Sequence, residues 1–320
     1  MGTTLHTLVL KKDIEGIKKI LHENPTKING VNSEQETIFH SACFHGYFEI
    51  AKFLLGVEGI NVNAADILLR SPLYVACKNG HTEIVKLLVN DGRADINQCR
   101  DLGHTPFCVA CSHGRYEIVE FLLNNPRVDV KRAMGTGATP FHLACQEGHL
   151  DVVKLLWKDE RTDINQFTHK GVSPIFITVQ KGNLEILKLF LEDKRTNVNK
   201  QLTDGRTAFW QACHCGHLQV VKMMLASDLE LDFSAKWINN KTALQQARFM
   251  INYGNQDHET IEESKSRQQN CQEIVKLMEK YEMDPEGVKK QILKEFDSLN
   301  VLACEIFSLV VLVSDEYYLS

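Results

Sequence analysis

The chain has 320 residues, of which 43% are apolar, 24% charged and 8% aromatic, values that are typical of a globular protein and exclude a disordered or collagen-like chain. Its 36 basic and 41 acidic residues give a net charge of −5, so no overall basic field favours binding to nucleic acid. A length of this kind suggests about two domains, a count that internal repeats would override.

The chain ends and the cysteines narrow the class of protein further. Residues 1–6 show no basic segment followed by an apolar one, so we expect no secretory signal. The longest nearly apolar stretch, 301–313, contains Glu305 and is too short to span a bilayer, which predicts no membrane insertion. Ten cysteines are too few for a disulfide scaffold of this length. These features predict a reduced intracellular protein, located in the cytoplasm or in both cytoplasm and nucleus.

A spacing of 34 residues recurs along the chain. Four series of residues keep it: Gly46, Gly80, Gly114, Gly148, Gly182 and Gly216; Ser71, Thr105, Thr139, Ser173 and Thr207; Gly103, Gly137, Gly171 and Gly205; Cys43, Cys77, Cys111 and Cys145, resuming at Cys213. Independent series with one spacing indicate internal repeats, each a small unit that packs on its neighbours.

The copy at residues 137–156 shows the physical content of one repeat. Thr139 is a good N-cap, and Pro140 follows at the first helical position, where its missing N–H removes no hydrogen bond. Gly148 can end this short helix in a turn with positive φ. Apolar residues within 152–156 then form one stripe of a second helix. Each repeat is therefore predicted to be a hairpin turn followed by two antiparallel helices.

Two stretches of this copy resemble the signature of the ankyrin repeat: Thr-Pro-Phe-His-Leu-Ala at 139–144 and Gly-His-Leu-Asp-Val-Val-Lys-Leu-Leu at 148–156. The resemblance extends over residues 3–281. It implies a mainly α ankyrin-repeat solenoid in which each repeat has a β-hairpin or turn and two antiparallel helices. The family period is about 33 residues, so the additional residue is expected in the loop after the second helix, for example within 158–162.

In chain order, the series predict eight repeats and a helical extension. Residues 1–35 form a degraded N-terminal capping repeat, 36–235 six full repeats, 236–283 an eighth repeat, and 284–320 a C-terminal helical cap. A polar insertion near 251–269 interrupts the eighth repeat. A solvated loop or a helix extension is expected there, and a binding element is the alternative.

The C-terminal segment departs from the repeat pattern. Asp284 and Pro285 begin one amphipathic helix, and residues 300–319 form a second, very apolar one. We expect this pair to cover the last repeat of a monomer, because the terminal repeat of a solenoid has an apolar flank. The alternative is dimerisation through the second helix, by way of Phe307, Leu309, Val310 and Leu312.

The sequence gives little support for catalytic or metal chemistry. The cysteine series occupies one equivalent position beside alanine, where a small buried residue packs between repeats, so zinc is disfavoured. The resemblance assigns His40 and His142 to stabilising the neighbouring turn by hydrogen bonds. No phosphate-binding glycine loop, nucleophile elbow or pair of carboxylates stands out. We therefore predict no catalytic residue, cofactor or metal site, and an enzyme hidden in residues 248–320 is the least favoured interpretation.

An arginine series keeps the same spacing. Each member is followed two residues later by an aspartate or asparagine: Arg93 and Asp95, Arg127 and Asp129, Arg161 and Asp163, Arg195 and Asn197. We expect exposed Arg–Asp pairs that join neighbouring repeats, each contributing about 0 to 1 kcal/mol. A contact with an anionic partner is the alternative.

The resemblance implies that hairpin tips and first helices form one concave surface for a partner protein. The candidate contacts are positions on that surface where the repeats differ: Leu68, Leu69, Arg70, Arg100, His104, Met134, Phe167, His169, Arg206 and Trp237. Leu69 replaces the hairpin glycine of later copies, and Trp237 stands at a tip near the other end. The alternative for both tips is packing on adjacent hairpins.

These observations predict a non-catalytic scaffold or adaptor that binds a partner protein of unknown identity through its concave face. An inhibitor or targeting subunit of a partner enzyme is the alternative. Because the fold specifies only the mode of binding, the sequence does not name the partner.

Overall fold

The computed structural model describes residues 4–253 and 260–298, and these are mainly helical. The chain divides into two compact units, unit 1 at residues 1–174 and unit 2 at residues 175–320. The helices of unit 1 are α1 (Thr4–Leu10), α2 (Ile14–Glu23), α3 (Ile38–His45), α4 (Phe48–Leu55), α5 (Pro72–Asn79), α6 (Thr82–Asp91), α7 (Pro106–Ser112), α8 (Tyr116–Leu123), α9 (Pro140–Glu147) and α10 (Leu150–Trp157). A further helix, α11 (Pro174–Lys181), begins at the last residue of unit 1, and unit 2 continues with α12 (Leu184–Glu192), α13 (Ala208–Cys215), α14 (Leu218–Ala226), α15 (Ala243–Ile251), α16 (Ile261–Met283) and α17 at 285–298.

Most first helices begin at a serine or threonine cap that the sequence predicts. In α9, the Thr139 hydroxyl accepts a hydrogen bond from the His142 N–H at 3.2 Å, and Pro140 occupies the first turn. Gly148 ends this helix with a φ of 79°. Because such first helices are apolar on nearly every side, they are buried between their counterparts, as α5 is between α3 and α7. The predicted repeat of a turn and two helices is confirmed.

The hairpins are turns rather than strands, and we call these five-residue turns the tips. Each tip closes with one backbone hydrogen bond from the first N–H to the last carbonyl: Asn32 to Glu36, Asp66 to Arg70, Arg100 to His104, Met134 to Ala138, Thr168 to Val172, Leu202 to Arg206 and Trp237 to Lys241, at 2.8 to 3.2 Å. Within residues 4–253 and 260–298, the one strand-like pairing is the bridge between Val31 and Thr37.

In unit 1, the arginines of the series join neighbouring repeats, but with partners other than those predicted. Arg161 Nη2 donates to the Leu123 carbonyl of the preceding repeat at 2.7 Å, and it pairs with Asp159, two residues earlier, at 2.6 Å. Arg93 makes the equivalent contacts. The predicted pairing with Asp163 is wrong, because that carboxylate accepts a hydrogen bond from a backbone N–H of its own loop. The same correction applies to Asp95 and Asp129.

The cysteines of the 34-residue series fill the interfaces between first helices. All five are buried, and none of them is part of a disulfide. Burial raises the pKa of the Cys43, Cys77 and Cys111 thiols well above the usual value. They therefore act as small apolar packing residues, and not as thiolate ligands.

In unit 2, much of the stretch that the sequence predicts as a polar insertion in the eighth repeat is helical. Residues 261–269 form the first turns of α16, whereas 254–259 lie outside the described residues. Arg267 is buried and packs against Gly216, where an added Cβ would lie 3.0 Å from its Cγ atom. Its place matches that of His81 against Gly46 in unit 1. The buried arginine explains how the extended helix keeps the packing of a repeat.

The helix that begins the predicted C-terminal cap, α17, lies against α14 and α16. Val288 and Ile292 are buried, and Glu295 accepts a hydrogen bond from Lys222 of α14 at 2.6 Å. Residues 299–320 lie outside the described part of the chain, together with the side chains predicted for dimerisation: Phe307, Leu309, Val310 and Leu312. Capping by 284–320 therefore stays a prediction.

Candidate partner-binding surface

The candidate residues lie on the tips or beside them. Unit 1 holds eight of them, on the tips 66–70, 100–104, 134–138 and 168–172 or one residue before: Leu68, Leu69, Arg70, Arg100, His104, Met134, Phe167 and His169. Unit 2 holds Arg206 and Trp237.

Exposed apolar side chains cover two neighbouring tips of unit 1. Leu68 and Leu69 are 48% and 53% exposed, and Leu102 on the next tip is 66% exposed. Leu69 has a φ of 59°, the left-handed conformation that glycine adopts at the same place in the tips of Gly137 and Gly205. A side chain other than glycine costs about 1 to 2 kcal/mol in that conformation. Leu69 therefore adopts the backbone conformation of the glycine that it replaces, and it does so under backbone strain.

The strained leucine coincides with a break in the bonding between tips. Gly135 N–H donates to the Leu102 carbonyl at 2.7 Å, and His169 N–H donates to the Thr136 carbonyl at 3.0 Å. The equivalent bond from Asp101 to Leu68 is not formed between these described residues. At Gly137, the next tip lies so close that an added Cβ would be 2.9 Å from the His169 backbone nitrogen. Gln35 has the same left-handed conformation in the tip 32–36, with a φ of 59°, and there the bond from the Ile67 N–H to the Glu34 carbonyl is formed at 2.9 Å. A Cβ at this position therefore does not by itself break the bonding between tips.

The arginines of these two tips are held by carboxylates. Arg70 Nε contacts buried Asp66 at 2.6 Å, and its Nη2 lies 3.7 Å from Glu36. Arg100 Nε contacts Asp101 at 2.6 Å. Both arginines therefore shape the tips and present little net charge to a partner.

The other candidates of unit 1 differ in how accessible they are. Met134 is partly buried against Cys108, Ala138 and Leu143. Burial lowers the pKa of His104, and the neighbouring Arg100 lowers it further. Phe167 is 46% exposed, and His169 is exposed. The available contacts in unit 1 are therefore the leucines and the pair beside the tip 168–172.

Arg206 and Trp237 belong to an aromatic cluster in unit 2. The Arg206 guanidinium lies 5.9 Å from the ring centroids of Phe176, Trp210 and Trp237, and the two indoles lie 5.4 Å apart. Partial burial raises the pKa of the Asp204 carboxyl, but hydrogen bonds from Arg206 hold this pKa below its usual value. Trp237 is half-buried by these contacts. Packing of its tip on neighbouring residues was the alternative to exposure that the sequence left open.

Two features of unit 1 escaped the sequence analysis. Leu102 became conspicuous only when the structure showed its exposure next to Leu68. Asparagines that join successive loops were also overlooked, although their spacing could have shown them: Asn29, Asn63 and Asn97 are separated by 34 residues.

Comparison with known families agrees with this geometry. A family model described as ankyrin repeats in three copies matches residues 65–133, 124–201 and 175–261, and one described as ankyrin repeats in many copies matches 5–55. The chain belongs to the ankyrin repeat family. Its fold class, a mainly α ankyrin-repeat solenoid, is therefore confirmed.

Among solved structures, the ankyrin repeat domain of Bcl-3, described as a unique member of the IkappaB protein family, is similar to this ankyrin repeat chain. The two are 27% identical, and the match covers 66% of this chain and 93% of that domain with a TM-score of 0.58. No curated protein matches the sequence significantly. Ankyrin repeats are generally modules for binding other proteins, and proteins built from them are typically non-enzymatic.

Neither a metal-binding cluster nor a membrane-spanning helix is found in the part of the chain that the structure describes. Within residues 4–253 and 260–298, no three His, Cys, Asp or Glu side chains come together in a group that could hold a metal ion. In the same ranges, none of the helices combines the length and the apolar character that a bilayer crossing requires. The exposed leucines of the tips are thus the feature of unit 1 that a binding function has to explain.

Proposed function

We propose that this chain is a non-catalytic adaptor or scaffold that binds a partner protein through the tips of unit 1, with Leu68, Leu69 and Leu102 as the apolar anchor. The strained and exposed Leu69 carries the proposal. Glycine would occupy its position without strain, and a side chain that is 53% exposed contributes little burial in return. Backbone strain of this kind clusters at ligand-binding sites, and grouped exposed aliphatic side chains mark interaction surfaces.

Phe167 and His169 extend the same surface in unit 1, because Phe167 is exposed just before the tip 168–172 and His169 is exposed on it. In unit 2, Trp237 and Arg206 form a second contact region of more limited exposure. The chain acts as a monomer in the cytoplasm, or in cytoplasm and nucleus, without nucleic acid as a ligand. The net charge of −5 supports the proposal that nucleic acid is not a ligand.

Affinity capture with the full-length chain tests the proposal. Leu68→Asp places a charge in the anchor, and Leu69→Gly removes a side chain while it relieves the backbone. We expect both variants to lose the same partner. Because Leu69→Gly should make the protein more stable, its loss of binding cannot result from unfolding.

Asn124→Asp is the matched control, since it adds the same charge as Leu68→Asp at an exposed residue after α8, away from the tips. It should retain the partner. Retention of every partner by Leu68→Asp and Leu69→Gly would refute the apolar anchor. If the captured partner is an enzyme whose rate changes on stoichiometric addition of this chain, the role is that of an inhibitor or targeting subunit.

A further inference from the structure

Asparagine side chains join the loops of successive repeats at one equivalent position. Asn97 Nδ2 donates a hydrogen bond to the Arg127 carbonyl at 2.7 Å, and its Oδ1 accepts one from the Asp129 N–H at 3.0 Å. Each carboxamide therefore satisfies a C=O and an N–H that are two residues apart in the next loop. The same pair of bonds, at 2.7 to 2.9 Å, joins Asn29 to Gly59 and Asn61, Asn63 to Arg93 and Asp95, and Asn199 to Glu230 and Asp232.

Lys131 interrupts this series in unit 1, 34 residues after Asn97. The two groups that an asparagine would satisfy are the Arg161 carbonyl and the Asp163 N–H, and neither makes a hydrogen bond to any described residue. Lysine can donate but cannot accept, so it cannot replace asparagine at both groups. A cleft of about 280 Å³ opens beside them. Its lining includes Lys131, Thr139, Phe141, Arg161, Asp163 and Gln166.

The two backbone groups define the chemistry of a ligand that fits the cleft. The ligand must accept from one N–H and donate to one C=O on the same side. A carboxylate only accepts, and an ammonium group only donates. A trans peptide bond directs its C=O and N–H in opposite directions, whereas a primary carboxamide carries both on one edge. We propose that the cleft beside Lys131 is a binding site for a primary carboxamide.

The protein itself shows the geometry of the bound state, because four of its own carboxamides make these two hydrogen bonds in equivalent loops. Such a ligand has two sources: the side chain of an asparagine or glutamine in a bound protein, and a small free amide. The site is chemically distinct from the leucine anchor, so either proposal can fail without the other.

Nuclear magnetic resonance of the full-length chain tests the site, with the backbone amide of Asp163 as the reporter. Propionamide, the isolated end of a glutamine side chain, should shift this resonance to saturation. Propionate and N-methylpropionamide, which lack one of the two required features, should not. Lys131→Asn should abolish the response, because the new side chain would occupy both backbone groups as Asn97 does. Lys131→Ala is the matched control, since it removes the lysine without supplying an amide, and it should keep the response.

A second pair of probes distinguishes the two sources. N-acetylglutamine N-methylamide presents the side-chain amide as a protein would, and free glutamine presents it as a small molecule with charged ends. Binding of the blocked form assigns the cleft to a partner's side chain, and binding of free glutamine alone assigns it to a small amide. No shift with propionamide, an equal shift with propionate, or a shift that survives in Lys131→Asn would overturn the proposal.

Discussion

Mild acid should destabilise unit 1 through one buried histidine. His142 in α9 is 3% exposed, and its Nδ1 atom has no hydrogen-bond partner. The equivalent His40 bonds to Thr37 and to the Arg70 carbonyl. Burial lowers the pKa of His142 from 6.5 to about 4. The folded chain therefore resists a proton that the unfolded chain accepts.

The pH range and the size of the effect follow from these two pKa values. Above pH 6.5 the histidine is neutral in both states, and its full contribution to stability is present. Between pH 6.5 and 4 the unfolded chain binds a proton that the folded chain does not, so the free energy of unfolding decreases as the pH is lowered. At pH 5 the loss is about 2 kcal/mol, since each pKa unit corresponds to about 1.4 kcal/mol. His214 adds a loss of the same sign in unit 2, because burial lowers its pKa to about 4.

Urea denaturation and hydrogen exchange of the α9 amides, each at pH 7.5, 6 and 5, measure this effect. His142→Gln should lower stability at pH 7.5, because glutamine packs less well than the buried ring. It should also reduce the further loss between pH 7.5 and 5 by about 2 kcal/mol. The decisive quantity is the slope against pH and not the stability at one pH. An unchanged slope in the variant would show that His142 is solvated or protonated in the folded chain, and the reasoning would be wrong.

Three further outcomes follow from the structure. Leu69→Gly should raise the free energy of unfolding by about 1 kcal/mol in urea denaturation, since it relieves the strain of the left-handed backbone and creates no cavity. A decrease would mean that the leucine side chain is packed in the free protein. Asn97→Ala should lower it by about 2 kcal/mol, because the Arg127 carbonyl and the Asp129 N–H lose their partner; thermal melting checks this, and no change would show that the bridge contributes nothing. Native protein treated with iodoacetamide at pH 8 should react at the partly exposed Cys99 well before it reacts at the buried cysteines. The buried cysteines should be labelled only in urea, which mass spectrometry can show for Cys43, Cys77, Cys111, Cys145 and Cys213.

The repeat could be predicted from the sequence because its determinants are local. A threonine cap, a proline in the first turn and a glycine with positive φ act within one short helix, and the same set recurs with a constant spacing. Neighbouring repeats then pack through their first helices, since most of these helices are apolar on nearly every side. Local rules repeated along the chain therefore determined the fold class correctly.

Contacts between repeats were predicted less well, since the spacing does not tell which atoms meet. The sequence paired Arg161 with Asp163, whereas the structure pairs it with Asp159 and the Leu123 carbonyl. Both aspartates lie two residues from the arginine, so only the path of the loop decides between them. The exposure of Leu102 is of the same kind, because it depends on how far one tip stands from the next.

A departure from a series becomes informative once the structure shows what the usual residue does. Glycine at the tips provides a left-handed backbone without strain, so Leu69 means backbone strain, and the bond from the next tip to Leu68 is missing beside it. Asparagine in the loops bridges two backbone groups, so Lys131 means an open pair of groups and a cleft. At Arg267 the change is compensated, because the arginine packs on Gly216 as histidine does elsewhere. In the two uncompensated cases the fold leaves groups without a partner in the same unit, and these are the places where binding to another molecule can restore what the repeat lacks.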